Sequence, residues 1–265
     1  MKKAEITFII AILFFAGCAG NKAEIKRHRA IAKSAYDASD FRTASAHIDS
    51  AAVVCSNIGC VSDAYRWLIQ VSTASGNDVL RAQAYKNLAL AYLDYASKAK
   101  PANYQEFADS AHSTASRYLS WSDSLHALRG DPFPLADALL LSAQTAPVDS
   151  PGIAIENLLR ITVRPESAEV PRNLQPYIAQ AEKLLDEFGR EMALRYKAAN
   201  EAFEQTPESA IEDYKYVFNS AAGFRNSELA AESAIKIAEY YRDTGNKTQA
   251  AIWAGEALLW ESRNE

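Results

Sequence analysis

Residues 231–262 read AESAIKIAEYYRDTGNKTQAAIWAGEALLWES, two apolar-periodic segments on either side of Gly245. Small residues recur where the two helices of a hairpin must touch: Ala238 and Ala250, then Ala254 and Ala257. Tyr241 stands just before the turn. Helical periodicity broken by a Gly-containing turn predicts a helix–turn–helix unit. Working outward, the same logic appears twice more. Ala32 is followed at the same interval by Ala44, then by Ile48 and Ala51, with Asp40 placed to cap the second helix. Ala198 and Ala210 repeat the interval, with Tyr214 and Phe218 beyond.

The intervening segments follow the pattern less closely. Ser62 is the expected cap of a helix running to about Thr73, and Gly76-Asn77-Asp78 ends one element and starts the next. Residues 79–99 and 104–119 pair as longer helices, and the chain is expected to be irregular over 120–135. Residues 135–145 and 153–161 form a short pair. Pro165, Pro171 and Pro176 forbid one continuous helix there, because proline lacks the N–H and clashes with the preceding turn. Residues 177–205 make the longest helical run, with Gly189 as an expected kink or break. Thr206-Pro207-Glu208 starts the next helix, and Gly223 ends it. No segment alternates like a strand, so the class is all-α.

Residues 231–262, and more loosely most of 25–262, resemble the tetratricopeptide repeat, a helix–turn–helix unit that stacks into a superhelix. The resemblance implies a superhelical array of antiparallel helix hairpins whose first helices line a concave groove for peptides or partner helices. Carried onto the clearest repeats, that groove contains Lys26, Arg29, Lys33 and Tyr36, then Lys86 and Asp94, then Glu239, Arg242 and Asp243. A second expected docking surface is the pair Trp253 and Trp260, seven residues apart on the last helix; packing on the Tyr214/Phe218 helix is its competing role.

The N-terminus carries an address. Met1-Lys2-Lys3 is a positive start, and the apolar run 6–15 is too short to span a bilayer, which needs about 20 residues as a helix. Phe15-Ala16-Gly17-Cys18 resembles the lipobox of bacterial lipoproteins, with Phe where Leu is usual. The resemblance implies removal of residues 1–17, acylation of Cys18 with palmitate-type chains, and firm anchoring by more than one chain. Ala19 after the Cys implies the outer membrane, with the protein facing the periplasm or the cell surface. A plain secretory signal with an incidental Cys is the competing reading. Lys22, Lys26, Arg27, Arg29 and Lys33 form a basic run directly behind the anchor.

With Cys18 lipidated, Cys55 and Cys60 remain as an even pair in an exported chain, so a small disulfide across CSNIGC is expected. The division expected from sequence is 1–17 signal peptide, 18–24 tether, 25–161 N-terminal repeats, 162–176 Pro-containing linker and 177–265 C-terminal repeats.

Chemistry is sparse. The formal charge of -5 argues against nucleic acid. His28, His47, His112 and His126 lack metal-ligand spacing, and there is no phosphate loop or nucleophile elbow. No enzyme activity, metal or cofactor is expected. The expected function is a membrane-anchored, periplasm-facing scaffold that binds envelope proteins or peptides in envelope assembly. The alternative is a carbohydrate- or peptidoglycan-associated binding lipoprotein, distinguished by whether aromatics or charges line the groove.

Overall fold

The computed structural model describes residues 22–129, 132–162 and 171–263. Cys18, the signal segment and most of the Pro-containing stretch lie outside those residues. Every described element is a helix. They are α1 (22–37), α2 (Phe41–Val54), α3 (Ile58–Ala74), α4 (Asp78–Lys98), α5 (Pro101–Arg129), α6 (Pro132–Thr145), α7 (Pro151–Thr162), α8 (Gln175–Ala202), α9 (Pro207–Gly223), α10 (Ser227–Asp243) and α11 (Lys247–Glu261). Within each unit, helices adjacent in sequence pack against each other in order. The protein is all-α.

Contacts divide it into two compact units, Met1–Gly130 and Asp131–Glu265. This boundary differs from the one expected at 162–176. The helices flanking that stretch belong together, because α7 packs on both α8 and α9.

Four of the turns are built alike. Ser39, Gly76, Arg225 and Gly245 adopt left-handed conformations, with φ of 58, 66, 59 and 80°. The residue after each, Asp40, Asn77, Asn226 or Asn246, donates its N–H to the carbonyl five residues back, at 2.8, 2.9, 2.8 and 2.8 Å. The same side chain then caps the next helix, accepting from the N–H of Thr43, Leu80, Leu229 or Gln249 at 3.1, 3.0, 3.1 and 3.2 Å. One Asp/Asn residue therefore serves the end of one helix with its backbone N–H and the start of another with its side chain. Two further local corrections follow from caps. Asn57, not Ser62, caps α3, accepting from the Cys60 N–H at 2.9 Å, while Ser62 is buried inside the helix. Thr206 occupies its cap position without a side-chain cap bond.

The helices are longer than expected. Residues 22–24 of the supposed tether are already helical, α5 continues to Arg129 through the segment read as irregular, and α8 passes Gly189 without a break.

In the N-terminal unit, Ala32, Ala44, Ile48, Leu68, Val71, Leu88 and Tyr92 make one core, as the alanine pattern implied. Cys55, the C-cap of α2, is bonded to Cys60 in the first turn of α3, with Cα atoms 5.6 Å apart. Tyr95 on α4 donates to the Ser56 carbonyl in the same junction at 3.0 Å.

In the C-terminal unit, Tyr214 is fully buried, donates to Asn200 at 2.6 Å and meets Phe203 edge to face. Burial pushes its phenol up to about 12. The register here is displaced from the expected one. Ala199 is buried rather than Ala198, and of the alanines assigned to the α10–α11 contact only Ala257 is buried, while Ala254 faces solvent. Where α7 meets α9, glycines face each other: a Cβ on Gly152 would lie 2.6 Å from the Asn219 carbonyl oxygen, and one on Gly223 2.8 Å from the Gly152 Cα. Gly223 thus ends α9 for reasons of close approach, and the left-handed turn position falls to Arg225.

Candidate functional site

The N-terminal unit holds two clefts that share α3. The smaller, about 280 Å³, is walled by Arg29 of α1 and by Asp63, Ala64 and Trp67 of α3, over Ile48 and Ala51 of α2. The larger, about 610 Å³, lies between Arg66, Ile69 and Gln70 of α3 and Asp109, Ser113 and Arg117 of α5, with Tyr85, Leu88 and Tyr92 of α4 beneath. The walls come from α1, α3 and α5 and the floors from α2 and α4. Helical spacing explains the division on α3: Asp63 and Trp67, four apart, turn to one cleft, while Arg66 and Gln70 turn to the other.

Charge along this side is predominantly positive. Lys22, Lys26, Arg29, Lys33 and Tyr36 recur at three- and four-residue steps, forming one stripe along α1. Arg66 and Arg117 extend the cationic set across the larger cleft. Arg66 is steadied by the Tyr92 hydroxyl at 3.3 Å, and Arg29 approaches the Cys60 sulfur at 3.8 Å. Among the described residues no ion pair joins Lys22, Lys26, Arg29, Lys33, Arg66 or Arg117 to a carboxylate. Asp63 and Asp109 are the acidic lining residues, and Asp109 accepts from Gln105 at 2.8 Å. Tyr92 is buried and Tyr85 half-buried, so the floor offers few open ring faces for stacking.

The residues named from sequence divide accordingly. Lys26, Arg29, Lys33 and Tyr36 share the basic stripe. Lys86 is half-buried on α4, away from both clefts. Asp94 pairs with Lys98 at 2.6 Å on the exposed side of α4. Glu239 pairs with Lys236 at 3.2 Å, and Arg242 with Asp243 at 2.9 Å, all within α10 of the other unit. Trp253 and Trp260 turn inward: both are half-buried and meet Phe218 edge to face, with centroids 5.1 and 6.4 Å away. This is the packing role set against docking above, and both rings keep part of their surface open.

Arg66, Tyr92 and Arg117 were missed by sequence reading. The available signal was that Arg66, Ile69 and Gln70 occupy one face of α3, but the long α4–α5 pair obscured which helix stood opposite.

The histidines pack. His28 and His47 join α1 to α2 through an Nδ1–Nδ1 hydrogen bond of 2.8 Å, and Glu24 lies 3.9 Å from the His28 Nε2. Burial lowers the pKa of His112. Among the described residues no group of three or more His, Cys, Asp or Glu is disposed to hold a metal, and no helix is long and apolar enough to cross a membrane.

The sequence matches no family model, and no curated protein is similar to it.

Proposed function

We propose that this protein is a non-enzymatic scaffold of the tetratricopeptide type, anchored to the outer membrane through lipid on Cys18. On this reading it faces the periplasm and holds an acidic segment of an envelope protein along α1, α3 and α5. The observation that carries this is the cationic set Arg66 and Arg117, facing across one cleft without carboxylate partners in a chain of formal charge -5. A chain so acidic gains nothing in solubility from an isolated basic face; an anionic partner gives such a face a use, through steering and through hydrogen bonds to planar guanidinium groups. Charged walls over one buried and one half-buried tyrosine favour a peptide over a sugar, whose recognition would need exposed rings.

The shared turn supports the repeat reading: α1–α2 and α3–α4 are hairpins of one construction, with their first helices on the cleft side. The basic stripe begins at Lys22, close behind Cys18, so the anchor would hold this face near the membrane. Crosslinking and pull-down of the anchored protein from native membranes tests the proposal. A specific protein should be recovered, and the double change Arg66→Glu/Arg117→Glu should abolish its recovery. Recovery of no specific protein, or recovery indifferent to the double change, contradicts it.

A further inference from the structure

Helix α11 is apolar on two opposite faces. Its inner face, with Trp253, Ala257 and Trp260, packs on Phe218. Its outer face carries Ala251, Ile252, Gly255, Leu258 and Leu259, all exposed, with Ile252, Leu258 and Leu259 at 51, 66 and 47%. Between Lys247 and Glu261 the only charged residue is Glu256, which stands on a flank. Single exposed apolar residues need no explanation, but a contiguous uncharged face does, and a helix apolar all round is ordinarily buried all round.

We propose that the outer face of α11 pairs, antiparallel, with α11 of a second copy of this chain. Gly255 lies at the centre of the face, and a Cβ there would meet nothing within 4 Å, so another helix can approach closely. A two-fold axis through Gly255 sets Ile252 opposite the partner's Leu258, Ala251 opposite the partner's Leu259, and Thr248 opposite the partner's Ser262. Self-complementarity of this kind is what a two-fold interface requires.

Charge selects the direction. At about 100° per residue, Lys247 and Glu261 fall on the same flank of the helix, one at each end. Antiparallel pairing brings each Lys247 within two residues, about 3 Å along the axis, of the partner's Glu261, and does so twice. A parallel pair would leave those charges about 21 Å apart along the axis. Both residues are exposed and neither has an ion pair among the described residues.

The test uses the full chain carrying Cys18→Ser, in mild detergent, so that neither lipid nor a stray thiol joins copies. Sedimentation should show a dimer that dissociates on dilution. Ile252→Glu/Leu258→Glu should leave a monomer of unchanged helicity and melting. Lys247→Glu should weaken the dimer by about tenfold, as two attractive rim pairs become repulsive. Adding Glu261→Lys should restore it. Oxidation should link Gly255→Cys chains into dimers, and should not link Lys197→Cys chains. A monomer at all concentrations, failure of the charge swap to restore association, or equal crosslinking at both positions overturns the proposal. So does a monomer that uses this face to bind lipid vesicles or a different protein, since the occupant would then be something else.

Discussion

The two units share one kind of helix-to-helix turn and hold another of their junctions differently. In both, an Asp or Asn following a left-handed residue ends one helix and begins the next. In the N-terminal unit the next junction, α2 to α3, is held by the Cys55–Cys60 bond and by Tyr95 on the Ser56 carbonyl. In the C-terminal unit the corresponding work falls to backbone contact between Gly152 and Gly223, with Asn219 donating to the Asp149 carbonyl at 3.3 Å. The difference teaches that local turn chemistry specifies the four shared turns, whereas the other junctions draw in residues far apart in sequence, Tyr95 on Ser56 in one unit and Gly152 on Gly223 in the other. It also separates surfaces, a cationic cleft side in one unit and an uncharged outer helix face in the other.

The largest effect is expected at the glycine crossing. Gly152→Ala puts a methyl 2.6 Å from a backbone oxygen that cannot rotate away, so α7 and α9 must separate, costing about 3 kcal/mol. Chemical denaturation combined with amide hydrogen exchange should show the loss in α7–α9, with α1–α4 unchanged. Equal loss in both units would break the comparison.

Reducing Cys55–Cys60 should come next. The bond closes a loop with a sequence separation of 5, and constraining so small a loop in the unfolded chain contributes about 2 kcal/mol. Reductant should therefore lower the stability of the N-terminal unit alone, read by the same exchange measurement.

The shared turns give smaller effects that should be alike in the two units. Asn77→Ala and Asn226→Ala should each cost about 1 kcal/mol as a helix cap is lost. Arg225→Gly should instead stabilise by about 0.5 kcal/mol, because a residue with a Cβ is strained at positive φ while glycine carries an entropic cost that offsets part of the gain. Stability curves for the three variants would sharpen the comparison if the two caps agree, and break it if only one matters.

pH reads the units from opposite ends. Hydrogen bonds from Thr43 hold the Asp40 carboxyl below its ordinary value. That contribution is present above about pH 4, the unfolded value, and is lost as pH falls through the lower folded value. The three Asn-capped turns have no such group. Tyr214 runs the other way: its phenol is raised, so its contribution is present below about pH 10 and is lost as pH rises toward about 12. Exchange in α1–α2 should accelerate selectively in acid, and Tyr214→Phe should flatten the alkaline limb in α8–α9.

Much of the helical pattern was legible in the sequence, because small residues at Ala32, Ala44 and Ala51 and caps such as Asp40 and Asn77 act locally. What is not legible there shares a cause. The Pro-containing stretch reads as a domain boundary because proline breaks a helix wherever it stands; that α7 packs on α8 and α9 is not written in the stretch itself. Trp253 and Trp260 share a face by spacing, and spacing alone does not say that this face meets Phe218. Arg29, Lys26 and Lys33 were visible as a stripe, whereas Arg66 and Arg117 become partners only once α3 and α5 stand across α4.

The central claim is that the cleft side of the N-terminal unit receives a protein partner. A photo-crosslinking residue at Ser113, which lines the larger cleft with Arg66 and Arg117, tests it most directly in cells, with Lys197 on α8 as the control position. The account predicts one discrete crosslinked protein from Ser113, lost with Arg66→Glu/Arg117→Glu and absent from Lys197. A product equally strong from both positions, or none from Ser113, would contradict it.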